Sequence, residues 1–342
     1  MKKLVIYNGK IITPFRIIPK GTVEEVGGKI TAIHEGEAKA DDAVVIDAKN
    51  KYISPGFVDI HVHGGGGHDF MDGDLEGFLK IAELHAQFGT TAMLPTTLTG
   101  DKEQLLNTLE VYEQAHRINK NGAEFLGLHL EGPYFAMSQR GAQDPRYIRD
   151  PDPTEYRQIL ERSNSIVRWS AAPELKGAME FGRYLRENKI LAAIAHTDAI
   201  YEEVVEAVEN GYSLSTHLYS GMSGVSRKNA FRFAGVIESS LLMDELDVEI
   251  IADGVHLPSP LLKLIYKVKG PNKIALITDA IRAAGQPPGE SILGHKQHGL
   301  KVIVEDGVAK LPDRSAFAGS VATADRLVRN MIRMADVSLL DA

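Results

Sequence analysis

Eight times between residues 53 and 280 the sequence passes from a short apolar run, rich in β-branched residues, towards a window of helical periodicity. That alternation restricts the fold more than any other feature of the chain. Strands separated by helices pair in parallel, and eight of them close into a TIM-like (β/α)8 barrel whose active site lies at the strand C-termini. The predicted strands are 53–63, 90–97, 124–131, 166–174, 191–197, 212–218, 248–253 and 274–280. Helical windows lie at 75–88, 101–120, 177–188, 201–210 and 258–268, with Asp101 and Ser259 as expected starts, and a last helix is expected at 320–336. Residues 285–319 break the rhythm, where Gly and Pro followed by Val302 to Ala309 predict a hairpin insertion. Before the barrel, residues 1–52 carry short β-type runs (Leu4 to Tyr7, Lys10 to Thr13, Gly21 to Val26, Lys29 to His34, Val44 to Asp47), which predict a small β-sandwich-type domain, leaving 53–342 to the barrel.

The residues that end these strands carry the chemistry. His61 and His63 close the first strand; side chains two apart share a face, so both imidazoles point the same way. Taken alone, a His-x-His pair is more often a hydrogen-bonded core feature than a metal site. The other strands change that balance: they end in His-Leu-Glu-Gly-Pro, Ala-His-Thr-Asp, Thr-His-Leu-Tyr, Ala-Asp-Gly-Val-His and Thr-Asp-Ala. In a barrel these ends meet, bringing His61, His63, Glu131, His196, His217 and Asp279 to one mouth. Four imidazoles and two carboxylates suit zinc, iron or a similar divalent transition metal.

Composition narrows the alternatives. The chain of 342 residues contains no cysteine, which excludes disulfides, thiolate metal sites and a cysteine nucleophile. A formal charge of -8 argues against a nonspecific nucleic-acid binder. No window approaches the 18 or so uncharged apolar residues of a membrane span, so a cytoplasmic protein is expected. Gly64 to Gly67 lack the Lys-Ser/Thr of a phosphate loop, and Ser223 misses the Gly-x-Ser-x-Gly pattern. His85, His116, His295 and His298 are expected to be structural or exposed.

The succession His-Val-His, His-Leu-Glu-Gly-Pro-Tyr, Ala-His-Thr, Thr-His-Leu-Tyr-Ser-Gly-Met, Ala-Asp-Gly-Val-His and Thr-Asp-Ala resembles the N-acetylglucosamine-6-phosphate deacetylase family of the amidohydrolase superfamily, from about residue 5 to about residue 335. The resemblance implies that Glu131, His196 and His217 bind a metal common to all members. It also implies that His61 and His63 add a second ion bridged by Glu131, giving one or two ions per subunit. The expected reaction is hydrolysis of the N-acetyl group of an amino-sugar 6-phosphate, a small-molecule substrate, by a homodimer. Asp279 would take a proton from the attacking water and pass it to the leaving nitrogen, and His256 would hydrogen-bond the acyl oxygen. His129 is expected to support the ligands from behind.

Two departures from the family pattern bear on substrate recognition. Most members have Arg-Glu-Pro-Gly in the loop after Thr-His-Leu-Tyr, where this chain has Ser220 and Gly221 and then Arg227, Lys228 and Arg232 as the candidate substrate and phosphate contacts. At Gln143 some members carry a histidine that reaches the neighbouring subunit's substrate, and Gln143 is expected to bond there as a neutral group. Related members cleave a cyclic imide or an N-acyl amino acid, and others are noncatalytic barrels, so both remain alternatives. Relatives also continue for some tens of residues beyond Ala342 to complete the small domain, which is therefore expected to be incomplete and to have exposed strand edges.

Overall fold

The computed structural model describes residues 3–36 and 42–342. The chain divides into two compact units, Met1–Gly56 with Ser338–Ala342, and Phe57–Val337. In the smaller unit the strands Lys29–Glu35, Ile17–Val26, Lys3–Ile12 and Ala43–Asp47 lie side by side in that order. The first three pair antiparallel, while Ala43–Asp47 runs parallel to Lys3–Ile12. Gly27 and Gly28, both at positive φ, form the two-residue turn that a tight hairpin needs. Leu4 to Tyr7 and Lys10 to Thr13, expected as separate runs, fall on one strand that ends at Ile12 and leaves Thr13 beyond it. Asn8 at φ 56° and a register shift after Ile6 bulge it without ending it. Ile11, Ile18 and Val23 pack with Ile53 as its core. On the edge strand, Val44, Val45 and Ile46 each leave about half of their surface exposed.

The expected strand 53–63 divides at Ser54-Pro55-Gly56. Tyr52–Ile53 pairs with Lys10 and Ile11 in the small unit, and Phe57–Val62 begins the large one. In the large unit the parallel strands are Phe57–Val62, Thr90–Thr97, Glu124–Phe125 with Leu128–Glu131, Ile166–Ala171, Leu191–Ile194, Tyr212–Ser215, Asp247–Ile250 and Ile274–Leu276. Gly127 at φ 139° interrupts the third. The barrel closes where Asp279 N–H donates to the His61 carbonyl and His63 N–H to the Ala280 carbonyl, both at 2.9 Å.

The helices Leu75–Gln87, Lys102–Ile118, Ala178–Glu187, Tyr201–Glu209, Ser259–Lys269 and Ala324–Ala335 occupy the expected windows. Asp101 caps its helix by accepting from Glu103 N–H. Ser259 does not cap: Pro258 holds that position, and the Ser259 hydroxyl donates to the Met334 carbonyl. Pro153–Leu160 and Val236–Leu242 are additional helices, too short to display a period. The insertion is larger than a hairpin. Gly289–Leu293, Leu300–Glu305, Val308–Lys310 and Phe317–Ser320 form a four-stranded antiparallel sheet around Leu293, Val302, Val304 and Ala318. A bridge from Ser320 to Ala280 joins this sheet to the end of the eighth barrel strand. Among the described residues no helix is long and apolar enough to cross a membrane.

Candidate metal centre and active site

Several barrel strands stop short of their predicted ends for a common reason. His196, His217 and Asp279 follow the last extended residues with φ of 46°, 32° and 48°. A left-handed residue ends an extended strand and turns its side chain away from the strand's alternation. All three side chains thereby face the barrel axis, where they meet His61 and His63 from the first strand and Glu131 from the third.

Two groups result, His61 with His63 and Asp279, and Glu131 with His196 and His217, each with its donor atoms within 4.8 Å of one another and all six residues buried. In the first, His61 Nε2 lies 3.2 Å from His63 Nε2, and Asp279 Oδ1 is 3.1 Å from His63 Nε2. In the second, Glu131 Oε1 is 2.9 Å from His217 Nε2 and 3.2 Å from His196 Nε2. The other Glu131 oxygen, Oε2, is 3.3 Å from His63 Nε2, so one carboxylate touches both groups. All four imidazoles present Nε2 inward. Facing ring nitrogens 3.2 Å apart among carboxylate oxygens need a shared cation or bound protons, and this donor set fits divalent metal ions.

The electrostatics of the metal-free cluster follow from the same contacts. Burial works against charge on His61, but Glu131, Glu249 and Asp279 overcome it and raise the ring to about 9. His63 is likewise raised despite burial, by Asp279 and Glu131. Burial would push the carboxyls of Glu131 and Asp279 up; the surrounding imidazoles hold both below the ordinary range instead. His217 is lowered, mainly by burial, and His129 lies well below its ordinary value through burial and Arg168. His129 is therefore neutral, bonded through Nε2 to Ser170 Oγ at 2.7 Å, with its ring edge-on to His61.

His63, Glu131, His196, His217 and Asp279 form the floor of a cavity of about 280 Å³, and His61 is fully buried and does not line it. Ser220, Gly221 and His256 line it, with Phe317 and Gly319 from the insertion sheet as part of its wall. At Gly221, φ 58°, a Cβ would come within 2.7 Å of His196 Nδ1 and 2.8 Å of the Gln139 carbonyl. Gly64 is similarly confined, since its Cβ would approach the His68 carbonyl to 2.3 Å. Asp253 accepts from His256 Nδ1 at 2.9 Å and from the N–H groups of Val255 and His256, a carboxylate support not singled out from the sequence. The Asp-Gly-Val-His spacing was its signal: an Asp at a strand end bonding N–H groups two and three residues on.

The substrate contacts differ from expectation. Gln143 does not extend outward: its amide donates to Glu131 Oε2 at 2.7 Å and its oxygen accepts from Thr99 N–H, within the same chain. Arg227, Lys228 and Arg232 sit on an exposed hairpin, Ser226–Lys228 with Phe231–Phe233, and do not line the cavity. Arg227 pairs with Arg232 across the hairpin, so both lie on a two-stranded ribbon that carries them into solvent. Among the described residues that line the cavity there is no Lys or Arg.

Residues 52–337 match the amidohydrolase family. The chain belongs to that family, in its N-acetylglucosamine-6-phosphate deacetylase branch. It is 34% identical to the N-acetylglucosamine-6-phosphate deacetylase of Lysinibacillus sphaericus, over 91% of this chain and 78% of that one. It is 31% identical to the N-acetylgalactosamine-6-phosphate deacetylase of Escherichia coli O157:H7, over 87% of this chain and 77% of the relative. A substituted N-acetyl-D-glucosamine-6-phosphate deacetylase of Mycobacterium smegmatis, solved in complex with N-acetyl-D-glucosamine-6-phosphate, superposes with a TM-score of 0.90 at 28% identity, covering all of this chain and 87% of that one. The amidohydrolase family is metal-dependent, which accords with the donor set at this barrel mouth.

Proposed function

We propose that this protein hydrolyses the N-acetyl group of N-acetylglucosamine 6-phosphate, or of a close amino-sugar phosphate, releasing acetate and the free amine. The observation that carries the reading is the convergence of six strand-end donors at one barrel mouth, five of them lining one cavity, in a chain similar to deacetylases along most of its length. Glu131, His196 and His217 would hold one zinc or iron ion, and His61, His63 and Asp279 a second, with Glu131 between them. A metal ion in this setting makes water nucleophilic near neutral pH and polarises the acyl oxygen.

The chain's own groups do the rest. Asp279, kept ionised by His63 and His61, accepts a proton from the water as its oxygen bonds to the acyl carbon. The same proton passes to the sugar nitrogen as the C–N bond breaks, so acetate and amine leave in balance. His256 faces the cavity with its Nδ1 held 2.9 Å from Asp253 Oδ2, which turns Nε2 towards the acyl oxygen to hydrogen-bond it. Gln143 orients Glu131, and Ser220 and Gly221 contact the sugar.

Among the described residues no Lys or Arg lines the cavity, so in this reading the protein is a cytoplasmic homodimer in which Arg227, Lys228 and Arg232 reach the phosphate of a second copy's substrate. The same observation favours a second reading, a barrel amidohydrolase acting on an unphosphorylated amide such as an N-acyl amino acid or cyclic imide. Acetate release by metal-reconstituted protein separates the two, using N-acetylglucosamine 6-phosphate, its galactosamine epimer and the unphosphorylated sugar. Turnover confined to the phosphorylated sugars is expected. Equal turnover without phosphate, or none in a folded and metal-loaded protein, moves the assignment to another amide.

A further inference from the structure

The four inward-facing imidazoles differ in what holds the nitrogen on the far side of each ring. His63 Nδ1 lies 3.2 Å from the Thr96 carbonyl and His196 Nδ1 2.8 Å from the Gln139 carbonyl, while His217 Nδ1 has no partner. His61 is the exception, because its Nδ1 faces a carboxylate, Glu249 Oε2, at 3.4 Å. Glu249 belongs to the strand Asp247–Ile250 and is fully buried inside the barrel.

Glu249 is held in place by an equally buried cation. Arg168 bonds Glu249 Oε1 through Nη1 and Glu249 Oε2 through Nη2 at 2.9 Å, and Nη2 also donates to Thr216 Oγ1 at 2.8 Å. Nη1 donates in addition to the Ile60 carbonyl, on the residue before His61. A buried ion pair is a weak source of net stability, since apolar side chains of similar volume commonly replace one at no cost. Its position accounts for it better: the guanidinium fixes both carboxylate oxygens and leaves Oε2 directed at the His61 ring.

We infer that the Arg168–Glu249 pair is a positioning device for His61. Glu249 faces Nδ1 and so turns Nε2 towards His63 and Asp279 as the nitrogen offered to a metal ion. The negative charge behind the ring strengthens Nε2 as a donor to a divalent ion in the His61–His63–Asp279 group. At 3.4 Å the contact is long for a hydrogen bond, so its main consequence is the choice of protonated nitrogen. His217 meets the pair only through its backbone, where its N–H lies 3.4 Å from Glu249 Oε2 and Arg168 bonds the neighbouring Thr216, so no carboxylate stands behind its ring and the two ions are held with unequal dependence on this pair. This inference rests on the metal-centre reading above.

Glu249→Gln alone leaves Arg168 buried without a counter-charge, so the test uses two double variants, Arg168→Met with Glu249→Gln and Arg168→Met with Glu249→Leu. Gln retains an acceptor for Nδ1–H and loses the charge; Leu loses both. Zinc per chain is measured by atomic spectrometry against graded chelator, beside thermal melting of the metal-free proteins. The expected result is that one of two ions binds about 10-fold more weakly in the Gln variant and about 100-fold more weakly in the Leu variant, with the other ion held as in the wild type and the metal-free proteins still melting in one cooperative transition. A wild-type titration in either variant overturns the inference, as does loss of both ions together with the fold, the mark of a purely structural pair. A wild-type chain that binds no zinc defeats the metal-centre reading itself and is distinguishable from both.

Discussion

The ligand cluster has two halves built by different means, His61 with His63 and the loop-borne His196, His217 and Asp279, a division that cuts across the two donor groups because Asp279 faces His63. His61 stands on the strand Phe57–Val62 and His63 follows its last residue without a left-handed turn, so the two-residue period brings both to one side, where partners behind their rings hold them. His196 and Asp279 lie beyond their strand ends in left-handed backbone, as does His217. That conformation costs about 1–3 kcal/mol at a non-glycine residue and persists only where the surroundings impose it. At His196 they do so visibly: Gly221 leaves space that a Cβ would fill, and the Gln139 carbonyl takes the ring's outer nitrogen. The strand-borne pair is thus a matter of side chains, and the loop-borne groups are part of the path of the backbone. Changing the first should alter metal binding and leave the fold; changing the second should disturb both.

Glu131 tests the premise that the halves form one centre, since its two oxygens touch different halves. Glu131→Gln is expected to release both ions and lower kcat/KM by at least about 10³-fold, the loss of several kcal/mol of charge stabilisation. Retention of one ion at full affinity would separate the halves into independent sites. A smaller effect distinguishes them. His61→Ala should keep one zinc ion per chain and, at pH 9.5 where the ring's extra proton no longer contributes, the melting temperature of the metal-free protein, with activity down about 10²-fold. Gly221→Ala should lower that melting temperature and weaken the other ion, because the added carbon displaces His196 or the Gln139 carbonyl. If the two variants give the same profile in spectrometry and melting, the division fails.

The same division explains what could be read from the chain. His61 and His63 are legible as a motif because strand geometry alone places them. His196, His217 and Asp279 gain meaning only as a set, since nothing local announces a left-handed residue after a strand; His and Asp are merely among the side chains that tolerate it. The barrel was readable because each βα unit repeats one pattern. The four-stranded insertion read as a hairpin because its short strands are separated by Gly and Pro and its pairing to Ala280 is nonlocal. Helix Pro153–Leu160 carried a readable start, Asp152 followed by Pro, but spans too few residues for a period. The outward course of the hairpin bearing Arg227 and the inward turn of Gln143 depend on loop packing that no spacing rule encodes.

That hairpin supplies a control lying outside both halves. Arg227→Ala should raise KM for the 6-phosphate about 10-fold, the worth of one charge-assisted hydrogen bond, and leave kcat and both ions unchanged. Loss of an ion would tie the hairpin to the centre, and an unaltered KM would remove Arg227 from phosphate binding.

The smallest expected effect is a pH dependence in which the halves have opposite signs. In the metal-free protein His61 is raised to about 9 and His63 is raised as well, so their charged forms stabilise the fold below about 6.5 and that contribution is lost as pH rises through 9. His217 is lowered, so its neutral form stabilises the fold above about 6.5, and that contribution is lost as pH falls. Between pH 7 and 9.5 only the first contribution changes, and the melting temperature of metal-free protein should fall by roughly 5 °C. His61→Ala should flatten that fall. Zinc should reverse it, because the metal needs the nitrogen that the proton occupies and binds more tightly as the proton leaves. A flat metal-free profile in the wild type would mean that the strand-borne pair holds no proton, and would remove the electrostatic difference between the halves while leaving the geometric one.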